Sequence, residues 1–325
     1  MSFSYISIFS GIECASVAVK EFGWVPIVFS EVREFPCAVL SYHYPDVENV
    51  GDMTVFDWRQ YEGKVDVVVG GPPCQAFSVI GSRKSLEDER GGLSLEYVRA
   101  IHEINPRFSI TENVPGWLTA KDNAFGICLA KLVGASRELK SPLPNGKWSR
   151  SGMVAGPKRT AAWRVLDSQY FGLAQKRKRV YIISCRTGDG INPGAVLFES
   201  AYLSECSHPS GQERSCHSFV SESRNGKCGR VDLVYPVLAH TLRAHSDSHR
   251  IDMESYIAHG GRIRHLSPRE RERLMGLPDD YTLIPFKKGM ASENHRMLAT
   301  GNGMAVNVVR WICERIMIVE DNLPS

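Results

Sequence analysis

Val65-Asp66-Val67-Val68-Val69-Gly70-Gly71-Pro72-Pro73-Cys74-Gln75-Ala76-Phe77-Ser78 decides how this chain is read. The short, β-branched run Val65 to Val69 reads as a buried strand. Gly-Gly-Pro-Pro stops it abruptly. The two prolines fix φ and restrict the residues before them, so Cys74 is expected on a stiff loop at the strand tip. Loops at the carboxyl ends of α/β strands are where such folds keep their ligands. A single positioned thiol there suits covalent catalysis, because the thiolate is a strong nucleophile.

Outward from that strand, the first 185 residues alternate strand-like and helix-like segments. Tyr5 to Phe9, Pro26 to Ser30, Phe108 to Thr111, Trp163 to Leu166 and Val180 to Ser184 read as further strands. Cys14 to Phe22, Glu34 to Tyr42, Leu93 to Ile104 and Phe125 to Val133 read as helices. This alternation predicts an α/β fold, a doubly wound and mostly parallel sheet with helices on both faces. Ala135 to Thr160, rich in Gly, Pro, Ser and Lys, reads as a long surface loop. After Cys185 the chain turns rich in Ser, His, Gly and Arg and loses periodicity. The expected organisation is therefore a catalytic and cofactor-binding domain over 1–185, completed by 285–325, with a smaller irregular domain over 186–284. Within the latter, Ser267-Pro268-Arg269-Glu270 has the form of a capping box with proline at the first helical position, and Gly276 is the expected stop. Apolar residues at Val306, Val309, Ile312, Cys313 and Ile316 predict a last helix, Ala305 to Val319, with one buried face.

Composition narrows the class. Of 325 residues, 43% are hydrophobic and 23% charged, which excludes a disordered chain and suits one large domain or two unequal ones. No apolar run approaches a membrane span, and no basic segment precedes an apolar core at the amino terminus. Nine scattered cysteines suit a reducing cytoplasm rather than a disulfide framework. Cys14, Cys128, Cys185 and Cys313 lie in apolar stretches and read as small buried hydrophobes. The net charge of +3 says little, but its distribution says more. Lys158 to Arg179 holds seven basic residues against Asp167 alone, and Arg262 to Arg273 holds five arginines against Glu270 and Glu272. Such local density is the usual footprint of nucleic-acid binding.

The candidate sites sit at strand ends. The first strand runs through Phe9-Ser10-Gly11 into a helix, and Glu31 ends the second. A glycine turn with a carboxylate at the next strand tip holds nucleosides, the carboxylate accepting ribose hydroxyls. The missing G-x-G-x-x-G, with Glu13 and Cys14 in its place, favours a nucleoside without phosphates. S-adenosylmethionine is such a ligand. Asp52, in Gly51-Asp52-Met53, is a further acidic tip that could take an adenine amino group. Glu112 follows the strand Phe108 to Thr111, so a carboxylate and the Cys74 thiol can converge on one substrate. In Gln175-Lys176-Arg177-Lys178-Arg179, alternation points Gln175, Arg177 and Arg179 to one face. Cys206, His208, Cys216, His217 and Cys228 match no common structural zinc spacing, and no metal is expected.

These blocks in this order resemble the DNA cytosine-5 methyltransferases of the compact bacterial and phage type. The likeness spans nearly the whole chain: Phe9-Ser-Gly11, Glu31, Gly51-Asp52, Gly71-Pro-Pro73-Cys74-Gln75, Glu112-Asn113-Val114, Gln175-x-Arg177-x-Arg179, Arg264-His-Leu266-Ser-Pro-Arg269-Glu270 and Gly301-Asn302. The resemblance implies a Rossmann-like catalytic domain and an irregular target-recognition domain, in which Thr241-Leu242 resembles a Thr-Leu pair of the family. It implies methyl transfer from S-adenosylmethionine to C5 of a cytosine flipped out of double-stranded DNA. Cys74 would add at C6, Glu112 would hold a proton at N3, Arg177 would bind the O2 carbonyl, and Arg179 would support the loop. Phe9, Gly11, Ile12, Glu31, Val32, Asp52, Met53, Pro73 and Asn302 would line the cofactor. Gln75, Ser78, Arg83, Gln175, Thr241, Leu242 and Arg243 would meet DNA. The residue after Glu31, often an aromatic in the family, is Val32 here. A monomer is expected, acting in the cytoplasm of a bacterium or phage-infected host, with a restriction endonuclease as a separate partner or with phage DNA to protect. An RNA cytosine-5 methyltransferase acting on transfer RNA and a catalytically silent DNA-binding protein are the alternative readings.

Overall fold

The structure, a computed structural model, describes residues 2–73, 92–198, 239–242, 256–259 and 262–323. In chain order the elements are β1 (Ser4–Ile8), α1 (Cys14–Val19), β2 (Val25–Ser30), α2 (Glu34–His43), β3 (Glu48–Asn49), β4 (Val67–Gly70), α3 (Gly92–Ile104) and β5 (Phe108–Asn113). There follow α4 (Ala124–Val133), β6 (Ser151–Ala155), β7 (Arg159–Asp167), β8 (Lys178–Arg186), α5 (Gly194–Leu197), β9 (Tyr256–His259) and β10 (Arg262–His265). The chain closes with α6 (Pro268–Met275), β11 (Pro285–Phe286), β12 (Gly289–Met290), α7 (Glu293–Asn302) and α8 (Val306–Asp321).

Eight strands form one sheet in the order β3-β2-β1-β4-β5-β8-β7-β6. Pairing is parallel from β3 to β5 and antiparallel from β5 through β8 and β7 to β6. The mainly parallel sheet matches the expected fold class. Strands in such a sheet are covered on both faces, which explains why they read as apolar runs rather than alternations. Tyr5, Val67, Val69 and Ile110 face a core built with α1, α5 and α8. Ile6, Ile8 and Val68 face the opposite core, built with α3 and α4. Cys14, Cys128, Cys185 and Cys313 are buried, as the sequence predicts. No helix among the described residues is long and apolar enough to cross a membrane.

Three local features differ from expectation. The segment Ala135 to Thr160 contains β6, paired with β7, because Gly152 lets the Trp163 ring lie flat where a side chain would stand. The helix α7 was not foreseen. It is tied to α6 by a buried ion pair: Arg296 Nη2 lies 3.1 Å from both oxygens of the fully buried Glu272. Third, α5 and the segment around Tyr281, assigned from sequence to the irregular domain, pack on the sheet domain. Val196 and Leu197 share the core of α8, and the Tyr281 ring stacks on His43 of α2 at 4.1 Å. The capping box at α6 is formed as predicted, with the Ser267 hydroxyl and the Glu270 carboxylate each accepting from the other's backbone N–H.

The sequence order reverses between β1 and β4. In open α/β sheets ligands bind outside the carboxyl ends of strands at that switch point. The tips of β1, β2, β4 and β5 all lie on this edge.

Candidate active site

The loop after β1 is unusual in its backbone. Phe9, Gly11 and Glu13 all have left-handed φ, at 57°, 57° and 59°. Side-chain-bearing residues keep that conformation only where their surroundings hold it. Glu13 supplies its own restraint: Oε1 accepts from Ser16 N at 3.1 Å and from Ser16 Oγ at 3.0 Å, while its N–H donates to Ser10 O at 2.9 Å. The loop is also braced from outside, because Tyr281 Oη donates to Ile12 O at 2.9 Å. Glu13 has no exposed surface, and burial pushes its carboxyl up to about 7.

Glu31 sits across from this loop. Its Oε2 accepts from Gly11 N at 2.9 Å, and its Oε1 accepts from Val32 N at 2.9 Å and Arg33 N at 2.8 Å. A carboxylate offers about four acceptor positions, so three N–H donors fix it while leaving room for a hydroxyl. Val32 beside it is 66% exposed, an apolar surface at the strand tip. Asp52 is exposed, and its Oδ1 takes both donors of Thr54, leaving Oδ2 without a partner among the described residues. Met53 is buried and accepts at its carbonyl from Trp58 Nε1. A fixed carboxylate, an open apolar platform and an outward carboxylate at successive tips fit the ribose and base of a nucleoside such as that of S-adenosylmethionine. Phe9 is partly buried against Tyr97, and the Ile12 side chain lies wholly in the core, so Ile12 can offer only backbone. Pro73 and Asn302 are exposed, with Asn302 Nδ2 donating to Leu298 O at 3.0 Å.

Cys74 lies outside the described residues, as do Gln75, Ser78, Arg83, Arg243 and the candidate zinc residues. The approach to Cys74 is nonetheless defined. Asn113 Nδ2 donates to Pro72 O at 3.1 Å, tying the proline loop to the end of β5. A Cβ on Gly71 would stand 3.5 Å from Glu112 Oε2 and 3.3 Å from the Met304 methyl, so this backbone runs directly past Glu112. One residue earlier, Gly70 is obligatory for another reason. A Cβ there would lie 2.4 Å from the Tyr97 ring and 2.9 Å from Ile8 O.

Glu112 and Arg179 face each other from β5 and β8. Arg179 Nε lies 3.1 Å from Glu112 Oε1, with both side chains less than 15% exposed. The contact is ionic without hydrogen-bond alignment, and Oε1 has no hydrogen-bond partner among the described residues. A buried acceptor without a donor is costly, so this oxygen is poised for an incoming donor.

Arg177 is placed differently from the expectation that it grips a ring carbonyl. It is buried, its N–H donates to Asp167 Oδ1 at 3.0 Å, and its guanidinium donates to three backbone carbonyls. Nη1 reaches Leu242 O at 3.2 Å, and Nη2 reaches Gly303 O at 2.7 Å and Gly301 O at 3.4 Å. Burial lowers its pKa to about 10. Arg179 is thus the arginine that meets Glu112. Gln175 and Leu242, expected at DNA, are both buried here: Gln175 has no exposed surface and donates to Leu274 O at 3.4 Å, and the Leu242 side chain is in the core. Thr241 Oγ1 donates to Lys176 O at 2.6 Å, stitching residues 239–242 along the segment before β8. Nor is the Arg262 to Arg273 run free charge, since Arg264 pairs with Glu270, Arg269 with Asp280 and Arg273 with Asp279.

Sequence reasoning missed Tyr281 and Arg296, because their partners are distant in the chain and no local pattern marks them.

Comparison with known proteins follows the same lines. The family model for C-5 cytosine-specific DNA methylases matches residues 3–210 and 201–317. A protein of Escherichia phage P1 named DNA N-6-adenine-methyltransferase is 28% identical, over 96% of this chain and 61% of its own length. The type II methyltransferase M.HhaI of Haemophilus parahaemolyticus is 24% identical, over 96% of this chain and 93% of its own. The chain thus spans about three fifths of the phage relative. Among solved structures, the S. pombe Dnmt2 methyltransferase superposes with a TM-score of 0.68 at 18% identity, covering 99% of this chain and all of that one, a likeness of fold. With nearly its whole length matched by the family model, the chain belongs to the C-5 cytosine-specific DNA methylases.

Proposed function

We propose that this chain transfers a methyl group from S-adenosylmethionine to C5 of cytosine in double-stranded DNA, as a monomer in the cytoplasm of a bacterium or phage-infected host. The observation that carries the reading is the Glu112–Arg179 pair beside the loop that leads to Cys74. Cytosine C5 is a poor nucleophile until a thiolate adds at C6. The Cys74 thiolate forms the C6–S bond, and Glu112 holds the proton at N3, neutralising the charge that develops on the ring. Arg179, whose Nη2 has no acceptor among the described residues, is the donor for O2. Arg177 holds the site's frame rather than the ring. Gly11, Glu31 and Asp52 would hold the nucleoside of the cofactor, which when bound would supply an electrophilic methyl group from its sulfonium. Loss of the C5 proton then breaks the C6–S bond and frees Cys74. The base must leave the helix to reach this site. Recognition of the DNA sequence is assigned to the segment within 186–284, which includes Thr241 and Arg243. Protection of host or phage DNA, with or without a cognate endonuclease, is the role such an activity serves.

The phage P1 relative is named for methylation of adenine at N6. That reaction methylates an exocyclic amine and needs no addition to a ring carbon, so the Pro-Cys loop favours cytosine here. Nucleoside mass spectrometry of duplex DNA and transfer RNA from a methylation-free host expressing the chain tests the proposal. 5-Methylcytosine in DNA that disappears with Cys74→Ala is the expected result. N6-methyladenine instead, 5-methylcytosine only in RNA, or 5-methylcytosine persisting in Cys74→Ala would overturn it.

A further inference from the structure

At the opposite end of the sheet from the candidate active site lies a cavity of about 460 Å³, lined by His102, Asn105, Lys158, Arg159, Arg186, Thr187 and Asp189. Arg159 opens β7 and pairs in register with Arg186 at the end of β8. Arg186 is seven residues along β8 from Arg179, about 23 Å at roughly 3.3 Å per residue. The cavity therefore belongs to neither the cofactor edge nor the Glu112 site.

Its charge is unbalanced. Lys158, Arg159 and Arg186 face one carboxylate, Asp189. Arg159 is 1% exposed, and its donors go to neutral groups: Ser184 Oγ at 2.8 Å, Pro106 O at 3.0 Å and Ser184 O at 3.0 Å. Asp189 binds Arg186 Nε at 2.8 Å, and Lys158 Nζ has no partner among the described residues. With Arg107 O at 3.4 Å as a fourth acceptor the Arg159 hydrogens are satisfied, but only the more distant Asp189 offsets its positive charge, so a nearby anion would lower the cost of burying it. Asn105, which lines the same cavity, is the left-handed cap that ends α3, its N–H donating to Ile101 O at 2.9 Å.

We propose that this cavity binds one small phosphate-type oxyanion, either free or carried by a nucleotide. Lys158 Nζ and the two Nη groups of Arg186 supply the donors, and buried Arg159 supplies the fixed field behind them. Phosphate suits the site because guanidinium and ammonium groups bind its oxygens with strong charge-assisted bonds.

The test is equilibrium dialysis of the full chain with radiolabelled inorganic phosphate and, separately, with AMP, in chloride at constant ionic strength. One ligand per chain is expected. Lys158→Gln should weaken binding about tenfold or more, the worth of one charge-assisted bond. Asp189→Asn should tighten it by a few-fold, because it removes the competing carboxylate. That second variant keeps every cation, so it decides the matter even if Lys158→Gln folds poorly. Binding of both probes points to free phosphate as sufficient, and binding of AMP alone to a nucleotide. No binding of either probe at millimolar concentration overturns the proposal. So does an affinity unmoved by Asp189→Asn, or release of phosphate by a short DNA duplex, which would make the cavity part of a DNA face. DNA methylation should be unchanged in both variants.

Discussion

Arg177 and Arg179 are two residues apart, yet replacing them should harm the protein in opposite ways. In Arg177→Met the isosteric stem still fills the space, and the guanidinium is lost. Two short bonds disappear, to Leu242 O at 3.2 Å and Gly303 O at 2.7 Å, plus a weaker one to Gly301 O. Bonds from a charged donor contribute about 1.5–3 kcal/mol each, so the two short ones sum to roughly 3–6 kcal/mol. Methionine no longer carries a buried charge, which recovers part of that sum and leaves a net loss of about 3 kcal/mol. With a urea m-value of about 3 kcal/mol/M for a chain of this size, the midpoint should fall by about 1 M. The three freed carbonyls belong to the segments 239–242 and 301–303, so hydrogen exchange should quicken there first. Arg179→Gln should show the reverse pattern. Arg179 and Glu112 are both less than 15% exposed, but their contact is not aligned as a hydrogen bond and Gln keeps an amide donor there, so stability should fall by only about 1–2 kcal/mol, less than in Arg177→Met. The kcat of Arg179→Gln for methyl transfer should drop about 10²- to 10³-fold, the usual effect of removing one donor to a developing charge. Urea titration and single-turnover kinetics on both variants measure the two quantities. If Arg177→Met keeps its midpoint while losing turnover, the roles deduced from the guanidinium contacts are refuted.

Other outcomes follow from single contacts. Glu13 is buried with its carboxyl raised from 4.5 to about 7, so the folded state holds its proton more tightly than the unfolded state. The resulting stability is fully present below about pH 4.5 and is lost as pH rises through about 7, by roughly 3 kcal/mol in all. Glu13→Gln should flatten that part of the stability profile in chemical denaturation at pH 5 to 8, and an unchanged slope would show that another group titrates. Gly70→Ala forces a methyl to within 2.4 Å of the Tyr97 ring, and should cost about 1–3 kcal/mol in the same assay. Ser267→Ala removes half of the capping box on α6, for about 1 kcal/mol. Glu31→Gln keeps the size of the side chain but halves its acceptors for the Gly11, Val32 and Arg33 N–H groups. S-Adenosylmethionine affinity by calorimetry should fall about tenfold or more.

The strands were legible because burial on both faces leaves an unbroken apolar signature, as in Val67 to Val69. The tips were legible because Gly11, Glu31 and Glu112 each follow such a run. The different surroundings of Arg177 and Arg179 were not. Period-two alternation holds only inside a ladder, and β8 begins at Lys178, so Arg177 lies just before the regime in which the rule applies. The burial of Gln175 was hidden for the same reason: its segment bends to pair with Ala239, far off in the chain. The helix α7 escaped notice because its burial is largely polar, through Arg296 and Thr300 toward Glu272, rather than an apolar stripe. The run Lys158 to Arg179 looked like one basic patch, but β7 carries its two ends to opposite ends of the β7–β8 ladder.

The pairing of α1 with α8 has a consequence for how the protein is made. Cys14 and Val306 are 292 positions apart, yet they are packed into one core. At about 5–20 residues per second, a ribosome needs some 15–60 s to travel between them. Through that interval the apolar side of α1, and the nucleoside loop that leads into it, has no lasting cover. The nascent chain must therefore either be sheltered by a chaperone or hold a temporary packing that α8 later displaces. The proposed ligand site at the first strand would thus be complete only near the end of synthesis.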